Sequence, residues 1–447
     1  MELQTGNIPG EVLIKLAAEA IGRASPSIPD PSNAAHYQVT ELGIPEVDQV
    51  LRDIQVQSIS RLFDPPPPAP DPDGRVFRVS PREDHAHYLV KFQPDVISSE
   101  EAAARLTGEE TRKKIDLAAP NFWFRGGHAA EAPVQDYHPD QWGLEQIHCP
   151  EAWKRTHGER RVVVAVVDTG VDLQHPDLYP FLLKGRNLVD FTGQRRPMGQ
   201  TLIGNHMGAQ GDPQDELGHG THVAGAICCA RTHDEGVSGV TRNCWIMPVR
   251  VIATAWDHVL QQKDYCGNNA NMIRGIRWAA DNGAKIINIS CGKPRRDDFE
   301  AEAIDYAQQH GALVVAAMGN EGEEEDNETM YPAGYPRVIA VGATDQHNNR
   351  ATFSSYGSHM IVCAPGVQIR STWLGGGYET LSGTSFAAPH VSGVAALLFS
   401  AAQGLTCDQA SEIIRKSSIR LDDETGAHPN SNFGWGLVDA EAALRRA

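Results

Sequence analysis

The stretch LSGTSFAAPHVSG, residues 381–393, passes from a small polar turn into the apolar run VAALLF, residues 394–399. An apolar segment of this kind, in a chain without a membrane-like run of ~18 apolar residues, predicts a helix buried in the core. Ser385 would then lie at the start of that helix, where unpaired backbone N–H groups and the positive end of the helix dipole gather. Such a serine is either a nucleophile beside an oxyanion site or a helix cap, and this stretch alone leaves both interpretations open.

Two earlier segments supply the partners that a nucleophilic serine needs. The run RVVVAVVDTGVD, residues 161–172, predicts a buried strand that ends at Asp168, and parallel sheets place functional groups at such strand ends. The segment GHGTHVAG, residues 218–225, is rich in glycine and places His219 at the start of a second helix. The chain order is therefore acid, base, nucleophile, which is one of the known orders of Ser-His-Asp sites.

A further segment, VVAAMGNEG at residues 314–322, follows the pattern of a buried strand that ends in a glycine–asparagine turn. Together these four stretches resemble the active-site segments of the subtilisin-like serine peptidases, the subtilase family. The similarity runs from QWGL at residues 141–144 to FGWG at residues 433–436. The resemblance implies a serine endopeptidase that hydrolyses peptide bonds in proteins. It also implies an α/β fold in which a mostly parallel sheet has helices on both faces.

The resemblance assigns a role to each catalytic-type side chain. Ser385 attacks the peptide carbonyl, His219 acts as general base and then as general acid, and Asp168 holds the imidazole. Asn320 contributes an oxyanion-hole amide beside the Ser385 backbone N–H, and its alternative is a turn asparagine.

Two nearby side chains compete for these roles. His222 lies three residues after His219 and turns partly away on a helix. Asp172 follows Asp168 by four residues and is interpreted as a loop or packing carboxylate. The resemblance places the catalytic role on His219 and Asp168.

Substrate binding is expected along two segments. The resemblance assigns it to five residues: Ser290, Cys291, Gly292, Gly319 and Met330. An edge strand that reads a peptide through main-chain hydrogen bonds tolerates many sequences. Cys291 replaces the usual leucine, and Met330 stands where the family has a small residue at the floor of the first specificity pocket. Either Met330 makes that pocket shallow, or the acidic insert at residues 321–328 shifts the register and Met330 is ordinary packing.

The family needs no cofactor for its chemistry but often carries structural calcium, and the resemblance makes Asp177 a calcium ligand. The companion loop ARTHDEGV, residues 230–237, has His233 where an asparagine oxygen is expected. Imidazole is a poor ligand for a hard cation that prefers oxygen.

Composition limits the partners. The chain has 447 residues and a formal net charge of −18, which disfavours nucleic acid and anionic membranes as partners. The N-terminal residues 1–26 lack a basic start followed by an apolar core, so no secretion signal is visible, and the compartment stays open. Eight cysteines are scattered without a CxxC pair, which predicts buried free thiols rather than a disulfide or zinc framework.

Residues 1–135 differ in composition from residues 136–447, because they contain no cysteine and no long apolar run. Strand-like runs at 10–15 and 87–92 and a capped helix from Ser98 predict a small α+β module. Its end, APNF at residues 119–122, resembles the end of the family's inhibitory propeptides, so the N-terminal module is expected to be the peptidase's own inhibitor, chaperone and first substrate. The alternative is an unrelated interaction domain.

Beyond residue 141, short β runs alternate with helical ones, which favours a mostly parallel sheet. Helices are expected near 271–282 and 299–310, with strands near 246–251, 285–290, 312–317 and 338–343. A catalytically silent peptide-binding protein on the same fold is the rival function, and the presence of all four catalytic-type residues argues against it. An acidic-pH relative would carry a carboxylate where His219 stands.

Overall fold

The computed structural model describes residues 7–16, 42, 44–61, 87–92, 98–108, 111, 114–124, 141–192, 200–209, 211–229, 236–259, 261–323, 327–423 and 425–447. The N-terminal part contains β1 (Asn7–Leu16), α1 (Pro45–Asp53), β2 (Val56–Arg61), β3 (His87–Phe92), α2 (Ser99–Leu106) and β4 (Ile115–Phe124).

The larger part begins with α3 (Trp142–Gln146), α4 (Cys149–Trp153), β5 (Val163–Asp168), β6 (Arg186–Asn187), β7 (Gln200–Ile203) and α5 (His219–Ile227). It continues through β8 (Trp245–Arg250), β9 (Ile252–Asp257), β10 (Gln262–Asn268), α6 (Asn269–Asp281), β11 (Ile286–Ile289), α7 (Asp298–Gln309) and β12 (Leu313–Ala317). It ends with β13 (Ile339–Thr344), β14 (Val362–Pro365), β15 (Ile369–Trp373), β16 (Gly377–Leu381), α8 (Thr384–Ala401), α9 (Cys407–Ser417) and α10 (Ala440–Arg446).

A parallel sheet forms the centre of the larger part. Among the described residues it has seven strands in the order β14-β13-β12-β11-β5-β8-β6, and every neighbouring pair is parallel. Alternate side chains of β5 face opposite sides: Val164 and Val166 pack in the cluster that contains α8, whereas Ala165 and Val167 pack with α6 and α7. The sheet is therefore covered by helices on both faces, as the sequence predicts.

Helix α8 lies inside the core. It is long and apolar enough to cross a bilayer by length and composition, but 94% of it is buried within the protein. This burial is what a core helix requires, and it follows from a segment that is apolar on every side.

A second sheet joins the N-terminal part to the larger part. Its described strands run in the order β2-β3-β1-β4-β10-β9-β7, and β4 is antiparallel to β10 at two pairs, Trp123 with Asn268 and Phe124 with Gly267. Leu13 and Leu89 pack in the same apolar cluster as α6. The N-terminal module therefore contacts the larger part through a sheet edge and through side chains.

The predicted elements are confirmed to within a few residues. Ser98 caps α2 by accepting a hydrogen bond from the Glu101 backbone N–H at 3.1 Å. Gly283 and Gly311 follow α6 and α7 with φ of +83° and +77°, the left-handed conformation that glycine adopts at a helix end. All eight cysteines are buried and free. The run PPPPAP at residues 65–70, whose composition predicts a stiff connector or an exposed loop, lies outside the described residues.

Candidate active site

Asp168 and His219 meet at the carboxyl edge of the parallel sheet. Asp168 is the last residue of β5, and His219 is the first residue of α5. His219 Nδ1 lies 2.7 Å from Asp168 Oδ1, and both side chains are buried. With the carboxylate ionised, this contact keeps a proton on Nδ1 and leaves Nε2 as the nitrogen that can accept another.

The start of α5 is anchored from two sides. Asp215 Oδ2 accepts the backbone N–H of Thr221 at 3.0 Å and the Thr221 hydroxyl at 2.6 Å, which satisfies one of the unpaired donors in the first turn. Gly220 lies so close to the end of β5 that a Cβ there would be 2.2 Å from the Gly170 carbonyl oxygen. Only glycine fits this approach, and the approach brings His219 to the strand end.

The pKa values of the two histidines of α5 are shifted in opposite directions. Burial alone would lower the pKa of His219, but the Asp168 carboxylate, through its charge and hydrogen bond, and the charge of Asp215 raise this pKa above its ordinary value. Burial, with the nearby charge of His219, lowers the pKa of His222 to about 3. His222 Nε2 lies 3.0 and 3.2 Å from two backbone carbonyl oxygens, and Asp172 accepts backbone N–H groups from a neighbouring turn. Both competing side chains are thus held by backbone groups.

Ser385 is the second residue of α8, where backbone N–H groups have no partner within the helix. Its hydroxyl donates to the Ser290 carbonyl oxygen at 2.7 Å, and the Ser290 hydroxyl donates back to the Ser385 carbonyl oxygen at 2.8 Å. The ring of the next residue, Phe386, lies 5.4 Å from the ring of His219. In this conformation the Ser385 proton is directed to the Ser290 carbonyl oxygen.

Asn320 contacts the same helix end. Its Oδ1 accepts the backbone N–H of Thr384 at 2.9 Å and the Thr384 hydroxyl at 3.1 Å. These bonds fix the amide so that Nδ2 lies 3.6 Å from the position that a Cβ on Gly383 would take. The side-chain amide of Asn320 is therefore held at the start of α8.

A cleft adjoins Ser385. Its lining includes all five residues assigned to substrate binding, and comprises Ser290, Cys291, Gly292, Ala317, Gly319, Asn320, Glu321, Met330, Thr384 and Ser385. A Cβ on Gly319 would lie 2.6 Å from Met330 Cγ and 2.3 Å from Glu321 Oε2. Met330 is thus in the cleft wall, next to a carboxylate.

Asp177 is buried and engaged by hydrogen-bond donors. Its Oδ2 accepts the Tyr378 hydroxyl at 2.6 Å and the Val237 backbone N–H at 3.4 Å. Within the described residues, no group of three or more His, Cys, Asp or Glu could hold a metal, and the loop with His233 lies outside them. Among the described residues, the implied calcium site is thus represented by the Asp177 carboxylate, which already accepts two hydrogen bonds, whereas Ca²⁺ requires several oxygen ligands.

Two supporting side chains escaped the sequence analysis. Asn288, inside β11, donates to Ser290 Oγ at 2.9 Å and accepts the Ser392 hydroxyl at 2.8 Å. Asp215 holds α5 as described above. A polar residue within the apolar run KIINIS was the available signal for Asn288, but its partner on α8 is about a hundred residues away.

The comparisons with known proteins agree with this architecture. The Subtilase family (Peptidase S8) matches residues 159–436. Among similar proteins are a thermophilic serine proteinase of Bacillus sp. (strain AK1), 35% identical over 74% of this chain and 73% of that protein, and thermitase of Thermoactinomyces vulgaris, 36% identical over 68% and 96%. A solved structure of a protease from Pseudoalteromonas arctica PAMC 21717 shares 29% identity, with a TM-score of 0.58 over 68% of this chain and 96% of that one.

These matches and the parallel-sheet fold define a serine-type endopeptidase. The chain belongs to the subtilase family.

Proposed function

We propose that Asp168, His219 and Ser385 form the catalytic triad of this endopeptidase, made as a self-processing precursor. The observation that carries the proposal is the 2.7 Å contact between His219 Nδ1 and Asp168 Oδ1, in a buried site whose imidazole lies beside the Ser385-bearing helix end. The carboxylate raises the pKa of the imidazole and fixes its tautomer, which are the two properties that a general base needs here.

In the first step the Ser385 hydroxyl turns from the Ser290 carbonyl to His219 Nε2. The Oγ proton passes to Nε2, an Oγ–C bond forms to the peptide carbonyl carbon, and the carbonyl oxygen takes the negative charge. The imidazolium then protonates the leaving amine as the C–N bond breaks. Water repeats the sequence on the acyl-enzyme, with His219 again as base.

The developing oxyanion would be held by Asn320 Nδ2 and the Ser385 backbone N–H. Support comes from the bonds of Asn320 Oδ1 to Thr384, which direct the other end of the amide away from that residue. Removal of the corresponding asparagine in subtilisin costs about 2.7–4 kcal/mol of transition-state stabilisation.

We assign substrate binding to the cleft beside Ser385. The backbone of residues 290–292 would pair with the extended substrate, and the side chain before the cut bond would enter between Gly319 and Met330. Because Met330 fills part of this space, medium apolar side chains should be preferred to large aromatic ones. Glu321, whose carboxylate borders the same space, should add tolerance for Lys or Arg.

We also propose that residues 1–135 form an inhibitory propeptide. Support comes from β4, whose backbone adds to the edge of β10 at Trp123 and Phe124, as a bound peptide adds to a sheet edge. The chain would then enter the active cleft after Phe124 and be cut by Ser385 between Phe124 and Gln141. Residues 125–140, which would carry the cut bond, lie outside the described residues.

Intact-mass analysis of the full chain tests this proposal. Wild-type protein should yield a shorter form, Ser385→Ala should stay at 48.6 kDa, and Ser400→Ala, on the same helix but remote from the cleft, should process like wild type. Processing of Ser385→Ala in the absence of active enzyme would contradict the proposal. Added in trans, residues 1–127 should inhibit the mature enzyme; a piece that neither inhibits nor assists refolding would be an unrelated domain.

A further inference from the structure

Lys293 is a buried cation next to the cleft. Its side chain is 2% exposed, and its Nζ lies 2.6 Å from Glu300 Oε1 and 2.8 Å from Asn269 Oδ1. Glu300 and Asn269 are themselves fully buried. Burial of an ion pair costs so much desolvation that apolar residues of similar volume often stabilise a fold as well. A role in positioning the neighbouring backbone therefore explains this buried lysine better than a contribution to the stability of the fold.

The backbone of Lys293 joins two walls of the cleft. Lys293 directly follows the wall at residues 290–292, and it exchanges two hydrogen bonds with Tyr331, at 2.9 and 2.7 Å. Tyr331 directly follows Met330 of the opposite wall. The walls are close at this point, since a Cβ on Gly292 would lie 2.9 Å from the Tyr331 carbonyl oxygen.

The side chain of Lys293 reaches a third segment. Its partner Asn269 is the first residue of α6 and follows the end of β10 without a gap. That end of β10 is the edge to which the backbone of Phe124 and Trp123 is added. The other partner, Glu300, is held in the first turn of α7, where its backbone N–H donates to Asp297 Oδ1 at 2.9 Å.

We propose that Lys293 is a positioning residue that fixes three backbone segments of the substrate groove relative to one another: residues 290–292, residues 330–331 and the end of β10. The inference rests on the proposed function, because it takes these segments to bind the peptide on the amino side of the cut bond. The Lys293 side chain contacts Glu300 and Asn269, neither of which belongs to the triad. It should therefore affect the binding of extended peptides and leave the reactivity of Ser385 unchanged.

Two variants separate the effect of Lys293 on the geometry of the substrate groove from its effect on the stability of the fold. Lys293→Met alone leaves the Glu300 carboxylate buried without its cation, and we expect it to unfold at lower temperature. Lys293→Met/Glu300→Leu removes both charges of this pair and should recover part of the thermal stability, because buried Asp297, which also interacts with the Lys293 charge, keeps its carboxyl. Lys285→Met is the control for the exchange of lysine for methionine, because Lys285 is exposed and lies at the other end of the strand that leads to Ser290.

The measurement compares three rates in proteins expressed as the full chain: fluorophosphonate labelling of Ser385, hydrolysis of a single-residue ester, and hydrolysis of a tetrapeptide anilide. In the double variant we expect kcat/KM for the tetrapeptide to fall about 10- to 100-fold, mainly through KM, since small misplacements in a binding groove have effects of this size. Labelling and ester hydrolysis should stay close to wild type, and Lys285→Met should leave all three rates unchanged.

An equal fall for tetrapeptide and ester, or no fall in a stable double variant, would overturn the inference. Absence of labelling in the wild-type protein would refute the proposed function itself, and the inference with it.

Discussion

His222 should make the fold sensitive to mild acid. Its imidazole is buried and its Nε2 lies 3.0 Å from the Ile369 carbonyl oxygen, and burial, with the charge of His219, lowers its pKa to about 3. In the unfolded chain the same group titrates near pH ~6.5. Between these two values the unfolded state binds a proton that the folded state does not, so stability falls as the pH drops below about 6.5.

The size of this effect follows from the two pKa values. Between pH 7 and pH 5 the unfolded imidazole goes from mostly neutral to mostly protonated, while the folded one stays neutral. Proton linkage then removes about 2 kcal/mol from the free energy of unfolding. This is a large part of the ~5–15 kcal/mol that stabilises a typical domain.

Urea unfolding at pH 7 and pH 5 measures the effect, with Ser385→Ala as the background so that proteolysis does not interfere. His222→Gln keeps a side-chain N–H donor for the backbone carbonyls but cannot titrate. The loss of stability from pH 7 to pH 5 should be smaller in this variant by about 2 kcal/mol. His347→Gln, at an exposed histidine, is the control and should behave like the background. Equal losses with and without His222 would refute the reasoning.

Four further predictions concern catalysis, its pH dependence, calcium and specificity. Asp168→Asn should lower kcat about 10⁴-fold without unfolding the protein. Activity of the parent should fall in acid as His219 protonates, and the raised pKa of His219 places this fall at a higher pH than an ordinary histidine would give. A profile flat down to pH 4 would contradict a histidine base. Because Asp177 already accepts a hydrogen bond from Tyr378, replacing a chelator with calcium should raise the melting temperature less than it does for a subtilisin measured alongside; an equal shift would contradict this expectation. Met330→Gly should improve cleavage after Phe and Tyr in a peptide library, and an unchanged profile would remove Met330 from the pocket.

Local sequence predicted the elements that carry the candidate site. Asp168 ends one apolar run and Asn320 follows another, and both runs were predicted as buried strands; His219 and Ser385 lie at the start of predicted helices. Each of these features is encoded within about ten residues of the side chain concerned. The parallel sheet followed from the alternation of such runs.

Contacts between distant segments could not be predicted from the sequence. The pairing of β4 with β10, which joins the two modules in one sheet, depends on backbone hydrogen bonds that no side-chain pattern specifies. Asn288 bonds to Ser392, 104 residues away on α8, and Lys293 bonds to Asn269, 24 residues away on α6. For Met330 the sequence did not decide between a place at the floor of the specificity pocket and ordinary packing. The three-dimensional structure shows its side chain next to Gly319.

The central claim is that Ser385 is a nucleophile activated by the His219–Asp168 pair. The most direct test is mass-spectrometric mapping of a fluorophosphonate adduct after limited labelling of the wild-type protein, of His219→Ala and of Asp168→Asn. The account predicts a single adduct on Ser385 in the wild type, formed at a rate that falls by orders of magnitude in both variants while their folded structure is retained. Labelling at another serine, or equal labelling of Ser385 in His219→Ala, would contradict it.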